Sequence, residues 1–353
     1  SDVCSSDLSE IMLIIDWIKL ELRRQVVKSL LAPSHKKKIR EKRERKRKTE
    51  NRPHQVFYLH QVDDPYSHLC CQILDQLENS YDIEVIPLVV GSPPSSSTPE
   101  VEMLQKHNIE DAKMIAPYYG LTFETNEIDI EPKNFKIAQS VLLGTKQETF
   151  AKVSLEVGEA LWRNDSETLQ DLQQNSTVLS DEEISACMTI NSQKQKKLGH
   201  YYGGVFAYEG ECYGCIDRVP FLEERLVELG TNKSDQQSIF KRKSLKDELP
   251  LKLDGLTLEV LFSVRSPYSY LALQQLIEFR KRYPIKVVYR PILPMVMRGM
   301  VINREKMFYI LSDCKRIAEK KGIPFGNIAD PLGKAVERCR SEERRVGKEC
   351  RSR

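Results

Sequence analysis

A chain of 353 residues is long enough for about two domains at roughly 100–200 residues each. Hydrophobic residues at 40% and charged residues at 30% fit a globular protein. No apolar run approaches the ~18 residues of a spanning helix. Ile11 to Leu22 is broken by Asp16, Lys19 and Glu21, so no secretory signal is read there. The net charge of +3 conceals an asymmetry: Lys36 to Lys48 alone carries +8 and leaves the rest near −5. Such a basic arm suits an anionic surface, or is simply solvated. The nine cysteines show no regular spacing, which fits reduced thiols and a cytoplasmic protein.

In chain order, residues 1–10 are similar to a translated sequencing-library adapter and are set aside from fold reasoning. Residues 11–54 read as an amphipathic helix and basic arm. Ile14, Ile15, Ile18, Leu22 and Val26 recur at helical spacing over 11–32, with Arg and Lys opposite. Residues 12–48 could therefore lie peripherally on the anionic inner membrane surface or pack on the body. No specific nucleic-acid partner is expected.

The first domain is expected over 55–230. Val56 to Val62 reads as a strand, His68 to Asn79 as a helix and Ile83 to Val89 as a second strand parallel to the first. Asp64 is placed to cap the helix, with Pro65 at its first position. A Ser/Pro loop at 91–99 leads into helices at 100–118, 134–143, 147–162, 167–173 and 181–197. The last opens on a capping box, Ser180 and Glu183. A hairpin turning at Glu209-Gly210 and a helix from Arg218 to Leu229 close the unit. Residues 231–255 read as a polar linker.

The second domain is expected over 256–339. At an offset of 202, residues 56–90 and 258–292 agree, without a gap, at roughly a third of positions. Ser266-Pro267-Tyr268-Ser269 thus stands where Asp64-Pro65-Tyr66-Ser67 stands in the first copy. A helix around 304–321 follows. Residues 340–353 again resemble adapter, so this copy is expected to stop partway through its helical insert, without its closing hairpin, and the chain as given is expected to have little or no activity. The fold class is α/β: tandem thioredoxin-like folds with DsbA-type helical inserts, the second copy truncated.

Phe262 to Leu273, with Arg290-Pro291-Ile292-Leu293 and Lys320 to Phe325 downstream, resembles the DsbA-like thioredoxin fold of 2-hydroxychromene-2-carboxylate isomerases and kappa-class glutathione transferases. Glu209-Gly210-Glu211 and Ile216 to Glu223 resemble that family's closing hairpin and helix. The resemblance implies glutathione as co-substrate and a small electrophile as its target. Ser266 would take the place of the nucleophilic cysteine of redox relatives. Its hydroxyl would donate to a bound thiolate at a helix N-terminus. Pro267, Tyr268 and Ser269 would complete that turn, Arg290 would stand near the anionic ligand, and Asp217 could meet an ammonium group. The bland reading of both Ser266 and Asp217 is a helix cap.

The first domain departs from the family pattern. Asp64 replaces the serine, and a carboxylate there repels a thiolate. Gly204 falls where thioredoxin folds keep a cis-proline. This copy is expected to be degenerate. Cys212-Tyr213-Gly214-Cys215 tempts a redox reading. It lies in the late hairpin, away from the first strand–helix turn, and a metal site would need two more ligands, with His200 the only nearby candidate. Cys70-Cys71 are expected in the core. Two alternatives to the glutathione enzyme stand beside it: a thiol–disulfide oxidoreductase, against which the absence of C-x-x-C at either helix start speaks, and a non-catalytic binding or scaffold protein.

Overall fold

The computed structural model describes residues 3–95, 98, 100–125, 129–234, 240, 255–283, 285–328, 334 and 336–338. They divide into a central unit, Glu44–Asp247, and a split unit made of Ser1–Arg43 with Glu248–Arg353. The chain opens on two helices, α1 (Val3–Leu30) and α2 (Pro33–Thr49). The basic run expected as an arm is thus helical. The helix expected at 11–32 begins earlier and ends at Leu30. No side chain of α2 is buried, and Ile15, Ile18, Leu22 and Val26 of α1 are all exposed. Among the described residues, no helix is long and apolar enough to cross a membrane.

The central unit continues through β1 (Gln55–Gln61), α3 (Pro65–Cys71), α4 (Leu74–Ser80) and β2 (Glu84–Val90). A helical insert follows: α5 (Val101–Ile115), α6 (Pro132–Gly144), α7 (Phe150–Trp162), α8 (Ser166–Gln174) and α9 (Asp181–Leu198). The unit closes with β3 (Val205–Tyr208), β4 (Glu211–Gly214) and α10 (Val219–Glu228). The sheet order is β2-β1-β3-β4. β2 runs parallel to β1 through the helical crossover, and β3 and β4 run antiparallel. The hairpin turns where expected: Glu209 and Gly210 both take positive φ, 42° and 75°, which suits the right-handed twist of a tight hairpin. The capping box of Ser180 and Glu183 is formed.

Two boundaries differ from the sequence reading. The helix expected over 68–79 is interrupted at Gln72-Ile73, where Ile73 N–H bonds the carbonyl of Cys70, three residues back rather than four. The Gln72 side chain is turned to the insert, donating to Thr122 O at 2.7 Å and accepting from Thr122 N–H at 3.1 Å. The linker expected at 231–255 also begins later. Asn232 bridges Tyr81, and Lys233 N–H bonds Ser80 O. Phe240 is buried, with its N–H on Glu223 Oε2 at 3.2 Å. Residues 235–239 and 241–254 of that linker, and the tail from 340, lie outside the described residues.

In the split unit, β5 (Thr257–Phe262) and β6 (Lys286–Pro291) pair in parallel around α11 (Pro267–Arg282), and α12 (Arg304–Lys321) follows. The register repeats that of the central unit. Gln55 faces Glu84 there, and Thr257 faces Lys286 here, the same pairing moved by 202. The core is much thinner: Leu271, Cys314 and Ala318, with Tyr268, Ile310, Ile317, Ile323 and Phe325 packed on it. Where β1 is bonded on both edges, β5 is paired only with β6 among the described residues.

Candidate functional site

Each unit builds the same helix start from a strand, a two-residue turn and a proline. In the central unit Asp64 caps α3, its carboxylate accepting from Ser67 N–H at 2.8 Å and from Ser67 Oγ–H at 2.7 Å. Ser67 Oγ in turn accepts from Gln61 N–H at 3.1 Å. In the split unit Ser266 caps α11, its Oγ accepting from Ser269 N–H at 3.3 Å. Ser269 Oγ accepts from Ser263 N–H at 3.2 Å. Pro at the first helical position costs no hydrogen bond there and presets φ. The tyrosine that follows reaches across to the insert in both units. Tyr66 donates to Asp111 at 2.7 Å and Tyr268 donates to Asp313 at 2.8 Å.

Those two aspartates are again 202 residues apart, so the gap-free correspondence runs on well past residue 90. Gly120 and Gly322 both take positive φ, 72° and 64°. Leu121 N–H bonds Ala116 O, and Ile323 N–H bonds Ala318 O. Neither equivalence was read from the sequence. The signal lay in Asp111/Asp313, Lys113/Lys315, Ile115/Ile317, Ala116/Ala318, Gly120/Gly322 and Phe123/Phe325, all at the same offset.

The electrostatics of the two starts diverge. Burial raises the Asp64 carboxyl to about 6, against the opposing hydrogen bonds from Ser67. The backbone closes over this acid. Gly203 and Gly204 press against the start of α3: a side chain at Gly203 would overlap Gln61, and one at Gly204 would meet Asp64 Oδ2 at 3.1 Å. Gly204 holds φ at +61°, a conformation glycine adopts without penalty. Behind the turn, Tyr58 donates its hydroxyl to Ser67 O at 2.6 Å and lies 3.0 Å from His60 Nδ1. Burial lowers His60 to about 3 and His68 to about 4, so both are neutral imidazoles.

Ser266 is half-buried and carries a hydroxyl in place of this carboxylate. Because its oxygen accepts from Ser269, its own hydrogen is available to donate outward. Pro267, Tyr268 and Ser269 sit in the same turn, as expected. The Tyr268 hydroxyl is held by Asp313, and burial followed by the Asp313 charge drives its pKa far up. A contact from Tyr268 to a ligand would therefore come from its ring. Arg290 lies on β6, with its guanidinium on Glu259 Oε1 of β5 at 2.8 Å. Asp217 belongs to the central unit, where its exposed carboxylate pairs with the neighbouring Arg218 guanidinium. The capping residue of α10 is Arg218, without a side-chain cap, so Asp217 does not play the capping role read from the sequence. Among the described residues, no three His, Cys, Asp or Glu side chains come together as a metal site.

The hairpin cysteines separate. Cys212 is buried and points its thiol at Leu198 O, 3.4 Å away. Cys215 adopts φ 60°, ψ 174°, a region that is essentially glycine's and costs on the order of 1–3 kcal/mol for another residue. Its N–H donates to Gly204 O at 2.7 Å. That carbonyl also receives the thiol of Cys70 at 3.7 Å. The pair lies in the late hairpin, as expected, and the Cys215 N–H shares the Gly204 carbonyl with the thiol of Cys70 near the end of α3.

Residues 257–340 match the family model of the DSBA-like thioredoxin domain. The chain thus carries a DSBA-like thioredoxin domain in its C-terminal part, and β5, α11, β6 and α12 are the described elements of it. No curated protein matches the chain. Among solved structures, the chain is similar to a 2-hydroxychromene-2-carboxylate isomerase, with 14% identity, a TM-score of 0.38, and coverage of 50% of this chain and 96% of the other.

Proposed function

We propose that the DSBA-like domain is the thiol-binding part of a glutathione-dependent isomerase or transferase, with the Ser266 hydroxyl holding the glutathione thiolate at the start of α11. The observation that carries this reading is the helix start itself. Ser266 is an N-cap whose oxygen accepts from Ser269 N–H, on a helix of 16 residues inside the matched domain. The free N–H groups and the dipole of that first turn favour an anion, and the hydroxyl supplies a directed donor. A thiolate kept ionised near neutral pH can add to an electrophilic carbon of a small substrate. Reversal of that addition after rotation about a bond gives isomerisation; retention of the adduct gives transfer. Arg290 would neutralise an anionic ligand once its bond to Glu259 is exchanged. A thiol–disulfide oxidoreductase is the weaker reading, since neither helix start holds a cysteine, and a non-catalytic scaffold needs no thiol at all.

In this reading the central unit is a copy of the same fold that has lost the thiolate site. Asp64 and the closed Gly203-Gly204 backbone support that assignment. Calorimetric titration of the full chain with glutathione tests it. Ser266→Ala is expected to weaken binding at least about tenfold, a loss on the order of 1.4 kcal/mol. Unchanged binding removes Ser266 from the thiol site.

A second element favours a surface partner. α1 exposes Ile15, Ile18, Leu22 and Val26, and α2 adds the basic run Lys36 to Lys48. This combination suits peripheral attachment to an anionic membrane, on its cytoplasmic side. Sedimentation with phosphatidylserine vesicles should fall when residues 12–48 are deleted; equal sedimentation with and without them would end this reading.

A further inference from the structure

We propose that Cys70 and Cys215 form a reversible disulfide, making the central unit a thiol-redox site independent of the thiolate reading at Ser266. The Cys70 thiol and the Cys215 backbone N–H converge onto one carbonyl. Gly204 O accepts from Cys70 Sγ at 3.7 Å and from Cys215 N–H at 2.7 Å. After burial, the Cys215 side chain is the next cause that raises the Cys70 thiol, so the two side chains are neighbours. Both are free thiols in this structure. Neither neighbour in sequence competes for the pairing. Cys71 turns its thiol to His68 O at 3.1 Å, and Cys212 turns its thiol to Leu198 O at 3.4 Å.

The two positions differ in access, which sets the order of events. Cys70 is 0% exposed, whereas Cys215 is half-buried at the edge of the hairpin. Burial holds the Cys70 thiol well above its ordinary range, so it is a poor first nucleophile. Cys215 is the entry thiol and Cys70 the resolving one. The oxidant is a low-molecular-weight disulfide such as glutathione disulfide. Cys215 sulfur attacks one of its sulfurs, and the departing thiolate takes up the proton that Cys215 released. Cys70 sulfur then attacks Cys215 sulfur, and a second thiol leaves with the Cys70 proton. Two protein thiols are oxidised, and one disulfide is reduced to two thiols.

The bond would join the second turn of α3 to the short 3-10 turn Ile216–Arg218 that carries Asp217. It would also fix the strained Cys215 backbone beside the Asp64 cap.

The test treats the folded full chain with glutathione disulfide, quenches in acid, alkylates, and maps linked peptides by mass spectrometry. The expected product is a Cys70–Cys215 peptide that dithiothreitol removes. In Cys70→Ala, Cys215 should instead retain a glutathionyl adduct. A Cys212–Cys215 linkage, a persistent adduct on Cys215 of the unaltered chain, or full alkylation of both thiols after oxidation would each overturn the proposal. The unaltered chain alone decides the pairing, so the result does not depend on how well the variant folds. The same oxidation in urea is the control, where the selective pairing should disappear.

Discussion

Two helix starts of the same shape, Asp64 on α3 and Ser266 on α11, differ in the side chain that caps them. Strand register, the proline at the first helical position, the serine that ties the turn to its strand, and the tyrosine–aspartate bond to the insert are common to both. What differs is the charge at the cap and the space above it. Asp64 is a partly desolvated acid under a glycine backbone; Ser266 is a neutral hydroxyl with a hydrogen to give. The comparison teaches that the geometry of this helix start does not depend on the charge of the residue that caps it. Capping alone keeps the geometry, and it is satisfied by either residue.

The surroundings sharpen the contrast, and the largest expected effect concerns acid. His60 and His68 of the central unit are 3% and 5% exposed. Their counterparts in the split unit are Phe262 and Tyr270. Because burial lowers both histidines, to about 3 and about 4, the folded unit binds fewer protons than the unfolded chain below the ordinary histidine range. Stability is therefore full above about pH 6.5 and is lost as pH falls toward those values, by several kcal/mol in total. Denaturant midpoints followed by Trp162 fluorescence should fall between pH 7 and 4.5. A flat profile would break the assignment of neutral buried imidazoles.

Gly158 packs against the Nδ1 side of the His68 ring, where a methyl group would overlap the imidazole. Gly158→Ala should cost the central unit about 2 kcal/mol in thermal or urea unfolding, within the usual range for overpacking. The tyrosine bonds come next. Asp313 is 1% exposed whereas Asp111 is half-buried. Removing its donor in Tyr268→Phe should therefore cost about 2 kcal/mol, and Tyr66→Phe about 1 kcal/mol, because a hydrogen bond lost to the more deeply buried carboxylate is the dearer loss even with Arg316 still paired to Asp313 Oδ1. Paired unfolding curves check the order, and equal costs would mean that the two bonds are equally exposed.

The smallest effect is Asp64→Asn. The Asp64 carboxyl titrates near 6, above its unfolded value, so its sign is opposite to that of the histidines. It favours the folded state most fully below the unfolded carboxylate range and loses that advantage as pH rises to about 6, by on the order of 1 kcal/mol once its partial exposure is counted. Subtracting the variant's profile from the unaltered one should reveal this rising-pH loss, and a difference independent of pH would place the acid in solvent.

Much of this was legible in the sequence because it rests on local chemistry. Proline after a capping residue, the capping box at Ser180, the Glu209-Gly210 turn and the apolar strands each declare themselves within a few residues. α12 falls where a helix was expected, with Asn303 as its cap and Gly322 at its end. What was missed is long-range. Nothing near Gln72 announces the break between α3 and α4, since the partner of its side chain is Thr122. Phe240 is an apolar residue in a polar stretch, and only the fold shows the Glu223 pocket edge that holds its N–H. Cys215 was read with Cys212 because they are neighbours in sequence. Cys212 turns its thiol to Leu198 O, whereas the Cys215 N–H bonds the Gly204 carbonyl that also receives the Cys70 thiol.

The most direct test of the account is calorimetric titration of glutathione near pH 7.5 into the full chain, Ser266→Asp and Asp64→Asn. The account predicts that a carboxylate at 266 abolishes binding, by tenfold or more, while neutralising 64 leaves it unchanged. Glutathione bound equally well by Ser266→Asp, or bound through a site that only Asp64→Asn alters, would contradict it.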